Sequence, residues 1–274
     1  MNKRPVLFLV IVAVLAVALT AGYIFYQRTY TSPQYPVISF DATEIKVTTG
    51  VSDGELLRGV TATDPEDGDV TQSLLVENVS NIFNGNCAKV SYVAFDSKNH
   101  MSRAERTIRY TDYKPPVFSM SHPMVFRLSA TLNILNYISA EDMFDGDISH
   151  KVIYSIMGNS TNLNVQGEHE IELRAVNSKG DVAKLKTTVE ISDTEPNKAN
   201  IQLTDYLVYV PQGTEFKPEQ YFKSYMSNAQ LITDKAGVTI DSNVDTETPG
   251  TYTVTYSTGY GDTKSRSRLI VVVE

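Results

Sequence analysis

The stretch Ala88-Lys89-Val90-Ser91-Tyr92-Val93-Ala94-Phe95-Asp96-Ser97-Lys98 alternates apolar Ala88, Val90, Tyr92 and Ala94 with Lys89 and Ser91, then runs into a polar turn. Successive side chains of a strand point to opposite faces, so a period of two describes a strand with one face on a core and the other in water. The pattern is written three times. His169, Ile171, Leu173 and Ala175 alternate with Glu170, Glu172 and Arg174, and Tyr252, Val254, Tyr256 and Thr258 alternate with Thr251, Thr253 and Thr255. A turn rich in Gly, Asn, Asp and Ser follows each copy, at 96–100, 177–181 and 259–262, and a last strand follows each turn. These hairpins predict half-buried antiparallel sheet, with Val90, Ile171 and Val254 as core centres.

The interval from Ala94 to Ala175 is 81 residues, and Asp112, Asp193 and Glu274 keep the same interval at the segment ends. Such a period is too long for a solenoid unit and suits small domains in series. The apolar pairs Ile45 and Val47, Phe126 and Leu128, and Leu207 and Tyr209 match at that interval too, which predicts an opening strand in each copy. Six or seven short strands in about 80 residues predict an all-β fold of three tandem immunoglobulin-like two-sheet sandwiches, with boundaries at 36–112, 113–193 and 194–274. Pro115-Pro116 and Pro196 mark short, stiff linkers between them. One cysteine, Cys87, and no tryptophan exclude an antibody-type domain and any internal disulfide, so each sandwich rests on its hydrophobic core.

Ahead of the sandwiches, Asn2-Lys3-Arg4 precedes an uncharged apolar run from Pro5 to Tyr26. Roughly 20 apolar residues cross a hydrocarbon core, and Tyr23, Phe25 and Tyr26 sit where an interfacial aromatic belt would lie. This predicts a cytoplasmic tail at 1–4, a transmembrane signal anchor at 5–27 and a tether at 28–35. The protein would then be single-pass, with its C-terminal domains outside a Gram-positive-like cell. A cleavable signal peptide ending near Ala16-Val17-Ala18 is the alternative. The net charge of -8 argues against nucleic acid as a partner. Asn78-Val79-Ser80 and Asn159-Ser160-Thr161 match the glycosylation triplet, which matters only in a eukaryotic secretory host.

The segment Val60–Thr71 is matched almost position by position by Ile138–Ser149, with the shared core D-x-x-D-G-D-[VI]-[TS]. Together with the strand and turn quoted above, this motif resembles the Ig-like repeats of bacterial surface proteins, a type also found in a crystal insecticidal toxin and akin to hyalin-type repeats. The resemblance covers nearly all of residues 34–274. The third copy keeps Gly250-Thr251-Tyr252-Thr253-Val254-Thr255-Tyr256 but has no D-G-D. Membership would imply a fold signature before it implies a metal. Two readings of the residues themselves stay open. Asp64, Asp67 and Asp69, with Asp142, Asp145 and Asp147, could offer oxygen ligands to Ca2+, the one cofactor the chain suggests. Alternatively, Asp-Gly supplies a tight turn while Asp64 and Asp142 accept backbone N–H groups in Asx-turns.

The four histidines are scattered, no H-E-x-x-H, phosphate loop or nucleophile elbow is present, and no basic cluster adjoins Cys87. The expectation is therefore not an enzyme. It is a membrane-anchored extracellular stalk or adhesion module whose partner is a surface protein or a glycan. A carbohydrate-binding array is the alternative, with Tyr206, Tyr209, Tyr221, Phe222 and Tyr225 as a candidate sugar platform.

Overall fold

The computed structural model describes residues 3–30, 34–129, 131–158, 162–259 and 264–274. The triplet at 159–161, most of the turn at 259–262, residues 1–2 and part of the expected tether lie outside the described residues. Contacts divide the chain into two compact units, Met1–Ser80 with Cys87–Tyr110, and Asn81–Asn86 with Thr111–Glu274.

The first unit begins with α1, Lys3–Tyr30. Large apolar side chains on it, such as Leu15, Val17 and Leu19, are exposed. Among the described residues no helix is long and apolar enough to cross a membrane. The expected transmembrane anchor at 5–27, and the single-pass cell-membrane location that followed from it, are corrected accordingly.

Seven strands follow: β1 (Val37–Phe40), β2 (Glu44–Val47), β3 (Val60–Asp64), β4 (Gly68–Asp69), β5 (Leu75–Val79), β6 (Cys87–Phe95) and β7 (Met101–Tyr110). A short helical turn, α2 (Asp53–Leu56), starts in a capping box made by Ser52 and Glu55. The strands form a sheet β1-β3-β4 facing a sheet β2-β7-β6-β5. The second unit repeats this plan. Its strands β8 (Val117–Met120), β9 (Val125–Arg127), β10 (Ile138–Asp142), β11 (Gly146–Asp147), β12 (Ile153–Ile156), β13 (Gly167–Val176) and β14 (Val182–Ser192) give sheets β11-β10-β8 and β12-β13-β14-β9. A third pair of sheets, β15-β17-β18 and β16-β21-β20-β19, is built from β15 (Gln202–Leu203), β16 (Leu207–Val210), β17 (Phe222–Ser227), β18 (Gln230–Ile232), β19 (Thr239–Ser242), β20 (Gly250–Thr258) and β21 (Ser265–Val273).

The strand expected to open each copy is the second one. β2, β9 and β16 run parallel to β7, β14 and β21, with Ile45 opposite Ile108, Phe126 opposite Ile191 and Leu207 opposite Ile270. The first strands β1, β8 and β15 pair instead with β3, β10 and β17 in the other sheet. The chain thus changes sheets within a few residues, which ties the two layers together.

The alternating faces fall as the pattern requires. Ala88, Val90, Tyr92, Ala94, Ile171, Leu173, Ala175, Val254 and Tyr256 are fully buried, whereas Lys89, Glu170 and Thr251 are exposed. Cys87 is buried in β6. The first core holds a polar centre that the pattern does not announce, because Arg106 of β7 is only 2% exposed. Its guanidinium donates to the Tyr92 hydroxyl at 3.0 Å and lies 5.6 Å from the Phe40 ring centroid, while Tyr92 Oη donates to the Leu56 carbonyl at 2.8 Å. Tyr256 makes the same kind of bond to the Pro218 carbonyl at 2.6 Å. Burial of each hydroxyl is thereby compensated.

The second and third sandwiches do not pack separately. The core around Phe118, Phe126, Ile171 and Leu173 takes in Leu207 and Ile270 from the third, with Tyr206, Tyr209 and Val272 packed against it. Tyr209 Oη accepts the Phe118 N–H at 3.1 Å. Glu168 and Glu190 face each other across β13 and β14, where two carboxylates repel. Arg266 and Arg268, two apart and so on one face of β21, answer that charge. Arg266 binds Glu190, and Arg268 binds Glu168 and lies 2.9 Å from Glu190.

Two outcomes follow for urea unfolding. Ile171→Ala removes a side chain with 0% exposure and is expected to cost about 2–5 kcal/mol. Arg268→Ala leaves the two glutamates facing each other, so it destabilises, and adding Glu190→Gln recovers part of the loss. Strict additivity of the two changes would contradict this coupling.

Candidate functional site

The D-x-x-D-G-D motif occupies the hairpin β3–β4 and again the hairpin β10–β11. Asp64 closes β3, and its Oδ1 accepts the N–H groups of Glu66 at 2.8 Å and Asp67 at 3.0 Å. Gly68 follows with φ +77°, a left-handed conformation in which a side chain is strained. Asp67 reaches from this turn to the one between β6 and β7, accepting the Ser97 N–H at 2.6 Å and the Ser97 hydroxyl at 3.0 Å. Asp69 accepts the Thr71 N–H at 2.9 Å, and Thr71 Oγ1 accepts the Ala62 N–H at 3.1 Å.

The second motif repeats these bonds. Asp142 Oδ1 accepts from Phe144 and Asp145 at 2.9 and 3.0 Å, and Gly146 has φ +67°. Asp145 accepts the Ser178 N–H at 2.8 Å and pairs with Lys151 at 2.7 Å, and Asp147 accepts the Ser149 N–H at 2.8 Å. Asp67 and Asp145 therefore join one hairpin to the next, whereas Asp69, Asp147 and the Oδ1 atoms of Asp64 and Asp142 hold backbone N–H groups two or three residues away. Lys151 and the Ser178 hydroxyl hold the Asp145 carboxyl at about 2. The hydroxyls of Thr71 and Ser149 lower Asp69 and Asp147 in the same way.

The two motifs differ at one contact. In the second, Asn177 Nδ2 donates to Asp142 Oδ2 at 2.9 Å and to Tyr113 Oη at 3.1 Å, and Tyr113 in turn donates to Asp181 at 2.6 Å. Burial, reinforced by the Asp181 carboxylate, pushes the Tyr113 hydroxyl well above its ordinary value. In the first motif the position of Asn177 is held by Asp96. Asp96 Oδ1 accepts N–H groups from Lys98 at 2.9 Å and His100 at 2.6 Å, and its Oδ2 lies 2.6 Å from His100 Nδ1. One oxygen from each of Asp64, Asp67 and Asp96 lies within 4.8 Å of the other two, the only such group of three among the described residues. Of the six aspartates singled out in the sequence, the structure gathers Asp64 and Asp67. It turns Asp69 and Asp147 to their own helical turns, engages Asp142 with Asn177 and Asp145 with Lys151, and adds Asp96.

The five aromatic candidates are divided between two cores. Tyr209 packs on the second, Tyr221, Phe222 and Tyr225 pack on the third, and Tyr206 touches both. All five are half-buried. Tyr221 stacks on Phe216 with ring centroids 5.5 Å apart. In the third segment the place of the acidic hairpin is taken by β17–β18, turned by Asn228 and Ala229, both at positive φ.

The Asp145 contacts carry a pH dependence. A carboxyl held low contributes fully above the ordinary carboxylate range and loses its contribution as pH falls through about 2. Asp145→Asn is expected to cost about 1–3 kcal/mol at neutral pH. The gap to wild type should close in acid, as read by urea unfolding at several pH values, and a gap independent of pH would contradict the assignment.

No curated protein matches the chain. Among solved structures, it is similar to a chain from the structure of CBM51-2 in complex with GlcNAc and INT domains of Clostridium perfringens ZmpB, at 19% identity over 55% of this chain and 26% of that one, with a TM-score of 0.23. It is also similar to the lipoprotein BT2262 of Bacteroides thetaiotaomicron, at 11% identity over 86% and 99%, with a TM-score of 0.21. Similarity to Drosophila N-cadherin EC1-4 is at 10% identity over 88% and 76%, with a TM-score of 0.25. The chain spans about a quarter of the ZmpB chain and about half of the protocadherin GammaB4 extracellular domain, which it also resembles. A family model described as the Ig-like domain of bacterial surface proteins matches residues 203–272, the one segment without the D-G-D motif.

Proposed function

We propose that this chain is an extracellular interaction segment of a bacterial surface protein, in which coupled Ig-like sandwiches hold a binding edge at a fixed place. The shared core of the second and third sandwiches carries this reading, because packing continuous across two sandwiches removes the hinge that a flexible string would have. The linker is fixed as well. The Pro196 carbonyl accepts the Arg266 N–H at 2.8 Å, and Asn197 Oδ1 accepts the Ile201 N–H at 2.8 Å and the Ser265 hydroxyl at 3.1 Å. The match of residues 203–272 to a surface-protein domain supports the location. On this reading the chain carries no catalytic centre, its role is stalk-like or adhesive, and its partner is a protein surface met by a sandwich edge.

Limited proteolysis tests the fixed joint. The linker 193–200 should resist cleavage in the wild-type chain and become sensitive in the Arg266→Glu, Arg268→Glu double variant. Equal sensitivity in both would sink the reading. A glycan array probed with the full chain tests the partner. Silence is expected, whereas specific glycan binding lost in Tyr221→Ala would put the carbohydrate-binding alternative in its place.

A further inference from the structure

We infer that the first sandwich holds a divalent cation of the Ca2+ class between Asp64, Asp67 and Asp96. Asp64 is 5% exposed, and its Oδ1 is occupied by two backbone N–H groups. Its Oδ2 is buried and makes no hydrogen bond among the described residues. A buried carboxylate oxygen without a partner is costly, so something positive belongs beside it.

The second motif shows what that oxygen faces. There the matching atom, Asp142 Oδ2, receives the Asn177 amide at 2.9 Å. In the first motif Asp96 replaces this amide, and its side chain is only 4% exposed. An acceptor now stands where the other copy has a donor. The lysine nearest in sequence, Lys98, is engaged by Glu66, and His100 is held on Asp96 Oδ2. Asp67 completes the trio and is itself exposed, which leaves a route for an ion to enter with part of its water. Three carboxylates at mutual reach, with water filling the remaining positions, suit a hard cation that takes oxygen ligands in flexible number. The second motif has an amide bridge in place of the ion, and the third segment lacks the motif altogether. The site thus belongs to one sandwich of the three, and it stands whether or not the chain serves in adhesion.

Calorimetric titration of the full chain with Ca2+, after treatment with a chelator, tests the inference. Extracellular modules bind this ion at roughly 10−4–10−3 M, so a titration reaching about 5 mM should show one equivalent and a raised melting temperature of the first unit. Asp96→Asn copies the arrangement of Asn177 and is expected to stay folded while losing affinity at least about tenfold. The reverse change, Asn177→Asp, should add a second equivalent. Asp67→Asn provides an independent loss variant at an exposed position. No binding by the wild-type chain, or binding undiminished in both Asp96→Asn and Asp67→Asn, overturns the inference. Wild-type silence combined with a stabilised Asp96→Asn overturns it in favour of a proton shared between Asp64 and Asp96.

Discussion

One buried face of a long hairpin sets the terms for each sandwich. The hairpins β6–β7, β13–β14 and β20–β21 are the longest paired elements, and each presents a row of fully buried residues such as Val90, Ile171 and Val254. Sheet apolar on one side must be covered, and three short strands supply the cover in every copy. The second strand, parallel to the last, carries the chain from the covering sheet to the covered one. The small size of each unit gives the inner residues little redundancy, which is why polar groups such as Arg106 and Tyr92 enter the first core only with partners.

The acidic motif serves the same constraint. A hairpin held by only two residue pairs, such as β3 with β4, has too few ladder bonds to place itself. Asp67 and Asp145 supply the missing attachment by gripping the turn of the long hairpin through Ser97 and Ser178. The third segment does without that grip, since its β17–β18 hairpin is longer and is closed by a two-residue turn. A repeated motif in this chain therefore marks a repeated mechanical problem, and a small departure within it, Asp96 for Asn177, changes the local chemistry from amide bridge to anionic pocket.

Between the second and third sandwiches, charge and packing act together. Facing glutamates would weaken β13 with β14 in an isolated unit, and the arginines of β21 reverse that effect. The result is one compact unit where the linker sequence alone would permit two.

Much of this was legible in the chain. Period-two alternation identified the long hairpins and most of their buried faces, because the geometry of a strand forces that period whatever lies across the core, although Tyr252 and Thr258 are only half-buried and Val93 on the opposite face is buried. The Asp-Gly turns and the Asx role of Asp64 and Asp142 were also readable, since these bonds close within three residues. The apolar run at the N-terminus suggested a membrane span, which the described helix does not provide. Contacts made at long range were not legible. Asp96 meeting Asp64, Arg266 and Arg268 meeting Glu168 and Glu190, and Leu207 entering a neighbouring core join residues tens of positions apart. Local sequence determined the strands, their faces and their turns because those depend on neighbours along the backbone. Only the tertiary structure decided which sandwiches share a core and which carboxylates share a pocket, because proximity in space is set by how the sheets pack and not by spacing along the chain.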